Sequence, residues 1–182
     1  MACLFIVIPF IVTRPASAQL ASSVPHHGGA HVYLVRAKLT AYCTCKKCCQ
    51  RYSSGKRTAT GTDARKANGV AGAPQLVPYG SHVFLPGKLV TDPLRLVDDT
   101  GGGMQRMARN GIVQFDIRFT SHQAALNFGK RWENVYVLID NPTESQELFF
   151  AHYALFSWDN LAGNPLQVFL AAENEVAMNI VK

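Results

Sequence analysis

Asp99 and Asp116 are the residues of this chain whose type and surroundings best suit proton transfer. Asp99 stands in Val97-Asp98-Asp99-Thr100-Gly101-Gly102-Gly103-Met104, and Asp116 in Val113-Gln114-Phe115-Asp116-Ile117-Arg118-Phe119. Both runs are otherwise apolar and strand-like, and a glycine-rich turn lies between them. A carboxylate beside buried apolar groups is costly, because desolvation disfavours its charge and raises its pKa. A carboxyl kept protonated near neutrality is what a general acid requires. The glycines after Asp99 let the backbone approach a ligand and reach positive φ. The plainer reading of Asp99 alone is a cap on its own turn.

A second set of reactive side chains is Cys43, Cys45, Cys48 and Cys49. Two disulfides would stiffen a loop that lacks its own core. A metal site with thiolate ligands would do the same, although Cys43-x-Cys45-x-x-Cys48-Cys49 lacks the two separated pairs of common zinc folds. A redox role is the third reading. In an exported chain thiols can oxidise, which puts disulfides slightly ahead of metal and both ahead of redox chemistry. Adjacent Cys48 and Cys49 would then pair with Cys43 and Cys45, in a connectivity the spacing does not define.

The elements that must carry these groups are short. Residues 32–42 read as a strand, since Val32, Leu34, Leu39 and Tyr42 favour extended chain and no turn residue interrupts them. Residues 43–73 read as a long basic loop, of a kind that is functional or stapled in a compact domain. A turn at residues 77–80 precedes a strand over residues 81–85. Another strand spans residues 94–97, with residues 98–103 as the turn after it. Residues 113–119 alternate strictly: Phe115, Ile117 and Phe119 face one way, and Gln114, Asp116 and Arg118 the other. A helix follows, with Thr120 and Gln123 at capping-box spacing and Gly129 at its end. Residues 135–139 make the last clear strand, stopped by Asn141-Pro142. Short strands, Gly/Pro turns and one short helix predict an all-β fold, a small β-barrel.

Taken in order, Thr40-Ala41-Tyr42, the cysteine-rich loop, Pro78-x-Gly80, Asp99-Thr-Gly-Gly and Phe115-Asp116-x-x-Phe119 give the chain a family likeness. It resembles the 3D (Asp-Asp-Asp) domain family over about residues 32–139. These are double-psi β-barrels of Gram-positive cell-wall proteins, related to the catalytic barrel of the membrane-bound lytic transglycosylase A family. The resemblance implies a six-stranded double-psi barrel over residues 32–140, acting on peptidoglycan glycan strands as a lytic transglycosylase or related glycosidase. It gives Asp116 the acid–base role, beside Asp99. Thr100, Gly101, Gly102, Arg106 and Arg118 would meet the substrate. No cofactor is required for that chemistry, and a structural metal at the cysteines is compatible with it. The family's third aspartate falls on Thr120, at an expected helix N-cap where Asp and Thr are both accepted. An upstream Val-Asp-Pro is replaced by Gly72-Ala73-Pro74, and a Lys by Gln105-Arg106, where Arg106 would supply the charge. These departures keep a non-catalytic wall-binding module as the alternative, with a cysteine-based metal or redox protein third.

The 182 residues suit one domain. An apolar run over residues 4–12, followed by Ala16-Ser17-Ala18, reads as a cleaved signal peptide of residues 1–18, too short to span a bilayer. Cys3 would leave with it. Residues 19–31 read as a linker, with His26, His27 and His31 more often linker residues than ligands. Export to the periplasm or cell envelope, outer membrane included, or out of the cell follows from that reading. The net charge of +6 is mild, with the basic residues gathered in 46–66. No helix-turn-helix, zinc-finger or RNA-binding signature accompanies it, so nucleic acid is not an expected partner. Trp132 is a candidate for stacking on sugar, with core packing the commoner fate. Residues 141–182 read as an apolar, partly helical extension of no evident function, either packed on the barrel or forming a second small unit.

Overall fold

The computed structural model describes residues 29–53, 56–87 and 89–161. The expected signal sequence, most of the expected linker including His26 and His27, and residues 162–182 lie outside them. Seven strands and four short helices follow one another in this order: β1 (Ala30–Tyr42), α1 (Lys46–Cys49), β2 (Gly69–Gly72), β3 (His82–Phe84), β4 (Leu94–Thr100), α2 (Gly102–Arg109), β5 (Gln114–Arg118), α3 (His122–Phe128), β6 (Arg131–Asp140), α4 (Glu144–Tyr153) and β7 (Ala154–Leu161). Among the described residues no helix is long and apolar enough to cross a membrane.

The hydrogen-bonded order β5-β2-β4-β3-β6-β1 closes through a further pairing of β1 with β5. The result is the six-stranded, all-β barrel with small helices expected from the sequence. Closure depends on the length of β1. Its residues 30–39 pair antiparallel with β6, while residues 38–42 pair parallel with β5. The β2–β4 pairing is also parallel; β2–β5, β3–β4 and β3–β6 are antiparallel. A closed sheet leaves no exposed strand edge within the ring.

The pleat sorts the side chains. Tyr33, Val35, Ala37 and Leu39 of β1 and Val135, Val137 and Ile139 of β6 enter the main core with Phe115 and Ile117. Val32, Leu34, Tyr136 and Leu138 point the other way and pack with Phe84. That alternation is the period of 2 that strand geometry imposes. A third cluster, of Tyr42, Ala71, Ala73, Met104 and Ala108, lies apart from the main core.

Three expectations need correction. Residues 43–73 are not one irregular loop, because Gly69–Gly72 forms strand β2, between β5 and β4. Residues 98–103 are not a turn: β4 runs through Asp98 and Asp99 to Thr100, and Gly102 starts α2. The cap of α3 is Ser121, whose side chain accepts from Ala124 N, and not Thr120. Of the two placements open for the extension, residues 141–161 pack on the barrel: Phe150 of α4 is buried in its core and β7 pairs with β1. Gly129 ends α3 at a φ of 68°, as expected of a residue without Cβ.

Candidate active site

The position of the two acids follows from β2. Ala71 pairs with Asp99 of β4 on one side and with Asp116 of β5 on the other. Laterally aligned residues project to the same face, so both carboxyls stand on the face of Ala71, with Cα atoms roughly 9–10 Å apart across two strand spacings. The small Ala71 side chain leaves the space between them open. Asp99 reaches this position through an irregularity. Val70 pairs with Val97 and Ala71 with Asp99, so Asp98 is an extra residue in β4. Such bulges re-aim the side chains that follow them.

Asp99 and Asp116 both line one groove of about 640 Å³. Thr100, Gly101, Gly102, Met104 and Gln105 line it from the end of β4 and the start of α2, and so do Cys48 and Cys49 of α1 with Lys56 and Arg57 of the loop that follows. The basic loop thus places two cations on the lining of the same groove. Lys56 Nζ donates to Thr44 O and Arg57 Nη1 to Gly61 O, which ties both charged groups to the loop backbone.

The two acids have different surroundings. Asp99 is an occupied acceptor. Its Oδ1 accepts from the backbone N–H of Ala59 at 3.0 Å and of Thr100 at 2.9 Å, and its Oδ2 accepts from Tyr42 OH at 2.8 Å. Burial, reinforced by the Asp99 carboxylate, pushes the Tyr42 phenol well above its usual value, so it stays a donor. Asp116 is half-buried, and among the described residues only Thr40 hydrogen-bonds its carboxyl, from Oγ1 to Oδ1 at 2.9 Å. Thr40 is held in turn by Gln114 Nε2 at 3.3 Å. Burial pushes the Asp116 carboxyl up to about 6; Thr40 opposes this and the Asp99 charge adds to it.

Arg118 does not meet the groove. It is 1% exposed and its guanidinium forms two bonds to Asp98, Nη1 to Oδ1 at 2.8 Å and Nη2 to Oδ2 at 2.7 Å. Its Nε donates to Lys66 O at 2.7 Å and its Nη1 to Tyr42 OH at 3.3 Å. The pair therefore supports Asp99 from behind, through Tyr42, and is absent from the causes that set the Asp116 titration. Arg106 is exposed on α2 and does not line the groove; its neighbour Gln105 does, donating to Thr100 Oγ1 at 3.3 Å. Trp132 is 44% exposed and also lies outside the groove.

Cys43, Cys45, Cys48 and Cys49 are free thiols. Cys43, Cys45 and Cys48 gather with His122, the first residue of α3, while Cys49 Sγ donates to Cys43 O at 3.2 Å. Sequence spacing missed His122, which joins this group only through the fold. Tyr42, Lys56 and Arg57 line the groove, and Thr40 holds Asp116 from beside it; Thr40 and Tyr42 were marked in the sequence only as part of the Thr40-Ala41-Tyr42 motif, and Lys56 and Arg57 only by their place in the basic loop.

No family model matches the chain, and no curated protein matches it. Among solved structures, it is similar to an apo form of an Asp-to-Ala variant of the E. coli lytic transglycosylase MltA, at 17% identity and a TM-score of 0.32. It is also similar to E. coli MltA with bound chitohexaose, at 18% identity and a TM-score of 0.32. Each match covers 47% of this chain and 28% of the other, so the likeness spans less than a third of those proteins. At these values the likeness assigns neither chemistry nor ligand to this chain.

Proposed function

We propose that this barrel cleaves peptidoglycan glycan strands as a lytic transglycosylase, with Asp116 as the one acid–base group. The observation that carries the reading is the unequal occupancy of the two acids. Asp116 has a raised pKa and an oxygen left open to the groove, whereas both oxygens of Asp99 are held by protein donors. Hydrolysis would need a second free carboxylate, to activate water or to form a covalent intermediate. Intramolecular transfer needs only one. Protonated Asp116 gives its proton to the oxygen of the β-1,4 bond after N-acetylmuramic acid, and the C1–O bond breaks. The resulting carboxylate takes the proton from the muramyl O6, which closes on C1 as a 1,6-anhydro ring. No water is consumed and Asp116 ends protonated.

The ordered motifs around Thr40, Asp99 and Asp116 support the same reading, as do the groove-lining cations Lys56 and Arg57, whose charge suits an anionic wall polymer. Asp99 acts by keeping a negative charge near Asp116, which disfavours its ionisation. The test is incubation of the purified protein with sacculi and mass spectrometry of the released material. Release of 1,6-anhydromuropeptides is expected. Reducing-end sugars without anhydro forms would make the enzyme a hydrolase. Binding to sacculi with no release would leave a non-catalytic wall-binding module on the same barrel.

A further inference from the structure

We infer that Cys43, Cys45, Cys48 and His122 form a structural zinc site that fastens the groove's cysteine-bearing wall to α3. His122 Nδ1 lies 3.4 Å from Cys48 Sγ, 3.5 Å from Cys45 Sγ and 3.9 Å from Cys43 Sγ. Cys43 Sγ and Cys48 Sγ are 3.7 Å apart. One imidazole nitrogen carries one proton or one lone pair, so it satisfies one thiol and not three. A shared central atom accounts for the convergence. A tetrahedral zinc, with Zn–S of about 2.3 Å and Zn–N of about 2.0–2.1 Å, sets its ligand atoms roughly 3.5–3.8 Å apart. The four donor atoms all lie within 4.8 Å of one another, and the distances above bracket that range.

Local structure explains the ligand set. Cys45 caps α1, and its carbonyl accepts from the N–H groups of Cys48 and Cys49 at 3.2 and 2.9 Å. This tight turn brings Cys45 and Cys48 to the same side and turns Cys49 away, toward Cys43 O and the groove. The fourth ligand is therefore His122 and not the fourth thiol. Three thiolates and an imidazole form a soft donor set that suits zinc and offers no oxygen to calcium or magnesium. Four protein ligands close the coordination shell, which makes the site structural. The need for it is local: α1 buries no residue of its own, whereas α3 is anchored in the core by Phe128. This inference stands apart from the proposed glycan chemistry, because its readout is metal content.

The full chain, purified without chelator, is expected to carry one zinc per molecule by elemental analysis. After chelation, titration with Co²⁺ is expected to give the intense visible bands of a tetrahedral thiolate site, with a sulfur-to-cobalt charge-transfer band. Cys49→Ser should keep one metal. His122→Ala should weaken Co²⁺ binding by about 100-fold or more, at least the loss seen for outer-shell partners. A wild-type chain with no zinc and no cobalt spectrum would overturn the inference, as would disulfides in the chain as isolated. Loss of metal in Cys49→Ser with retention in His122→Ala would replace this site by a four-thiolate one.

Discussion

At Asp116, desolvation and the Thr40 hydroxyl act in opposite directions, and desolvation wins, placing the carboxyl at about 6 against an ordinary 3.8. The folded chain therefore holds this proton more tightly than the unfolded one. Stability from the group is fully present below about pH 4 and is lost as pH rises through about 6. At pH 7.5 the ionised, half-buried carboxylate costs about 1–3 kcal/mol, after allowance for screening through the open groove. Asp116→Asn is therefore expected to be about 1–3 kcal/mol more stable than wild type in urea at pH 7.5, with the gap closing toward pH 4. The same substitution should lower glycan cleavage by roughly 10²–10⁴-fold, the usual contribution of a general acid. The wild-type rate should fall above about pH 6, as the acid ionises. Equal stabilities of the two proteins at both pH values would mean that this carboxyl is not desolvated.

The elements around the groove depend on one buried ion pair between β4 and β5. Asp98 is 4% exposed and Arg118 1%, so removing either partner leaves a charge buried alone. Arg118→Met should cost about 3–5 kcal/mol in denaturant unfolding, and the double variant with Asp98→Leu clearly less than the sum of the single losses. Gly69→Ala should be comparably damaging, because a Cβ there would collide with the Arg118 guanidinium and the Asp98 carboxylate. That close approach also explains what the sequence hid. Gly69-Val-Ala-Gly72 has the glycines of a loop, yet it is the strand that joins β5 to β4: larger side chains at the two glycines have no room. Asp98 and Asp99 read as turn formers, but each is satisfied within the barrel, Asp98 by Arg118 and Asp99 by Tyr42. Arg118 shares a strand face with Asp116, and alternation alone could not show that Asp98 claims it. Phe115 and Ile117 of β5 and the apolar β6 were legible, because these side chains are buried as their hydropathy demands; Arg118, buried on the opposite face of β5, is the exception. Asp99 and Asp116 were legible as acids in apolar strands; their common partner Ala71 was not, since it sits on the strand the sequence concealed.

At the scale of the whole molecule, the barrel ring closes between β1 and β5, but its core is completed by residues beyond the ring. Phe150 of α4 is 0% exposed and stacks on Tyr33 of β1, with ring centroids 4.4 Å apart and planes 15° off parallel. A capping box between Thr143 and Gln146 starts that helix, and β7 then returns to pair with the outer edge of residues 30–35 of β1. The segment after residue 140 is thus part of the folding unit, and a large cavity would follow from emptying its anchor. Phe150→Ala should cost about 3–5 kcal/mol, the range for truncating a fully buried phenylalanine. Leu148→Ala, on a 66%-exposed residue of the same helix, should change stability by no more than about 0.5 kcal/mol. Neither residue lines the groove, so the pH dependence of glycan cleavage should keep its limb near 6 in both variants. Equal, small losses in urea for the two variants would instead make α4 an appendage, with the barrel core complete without it.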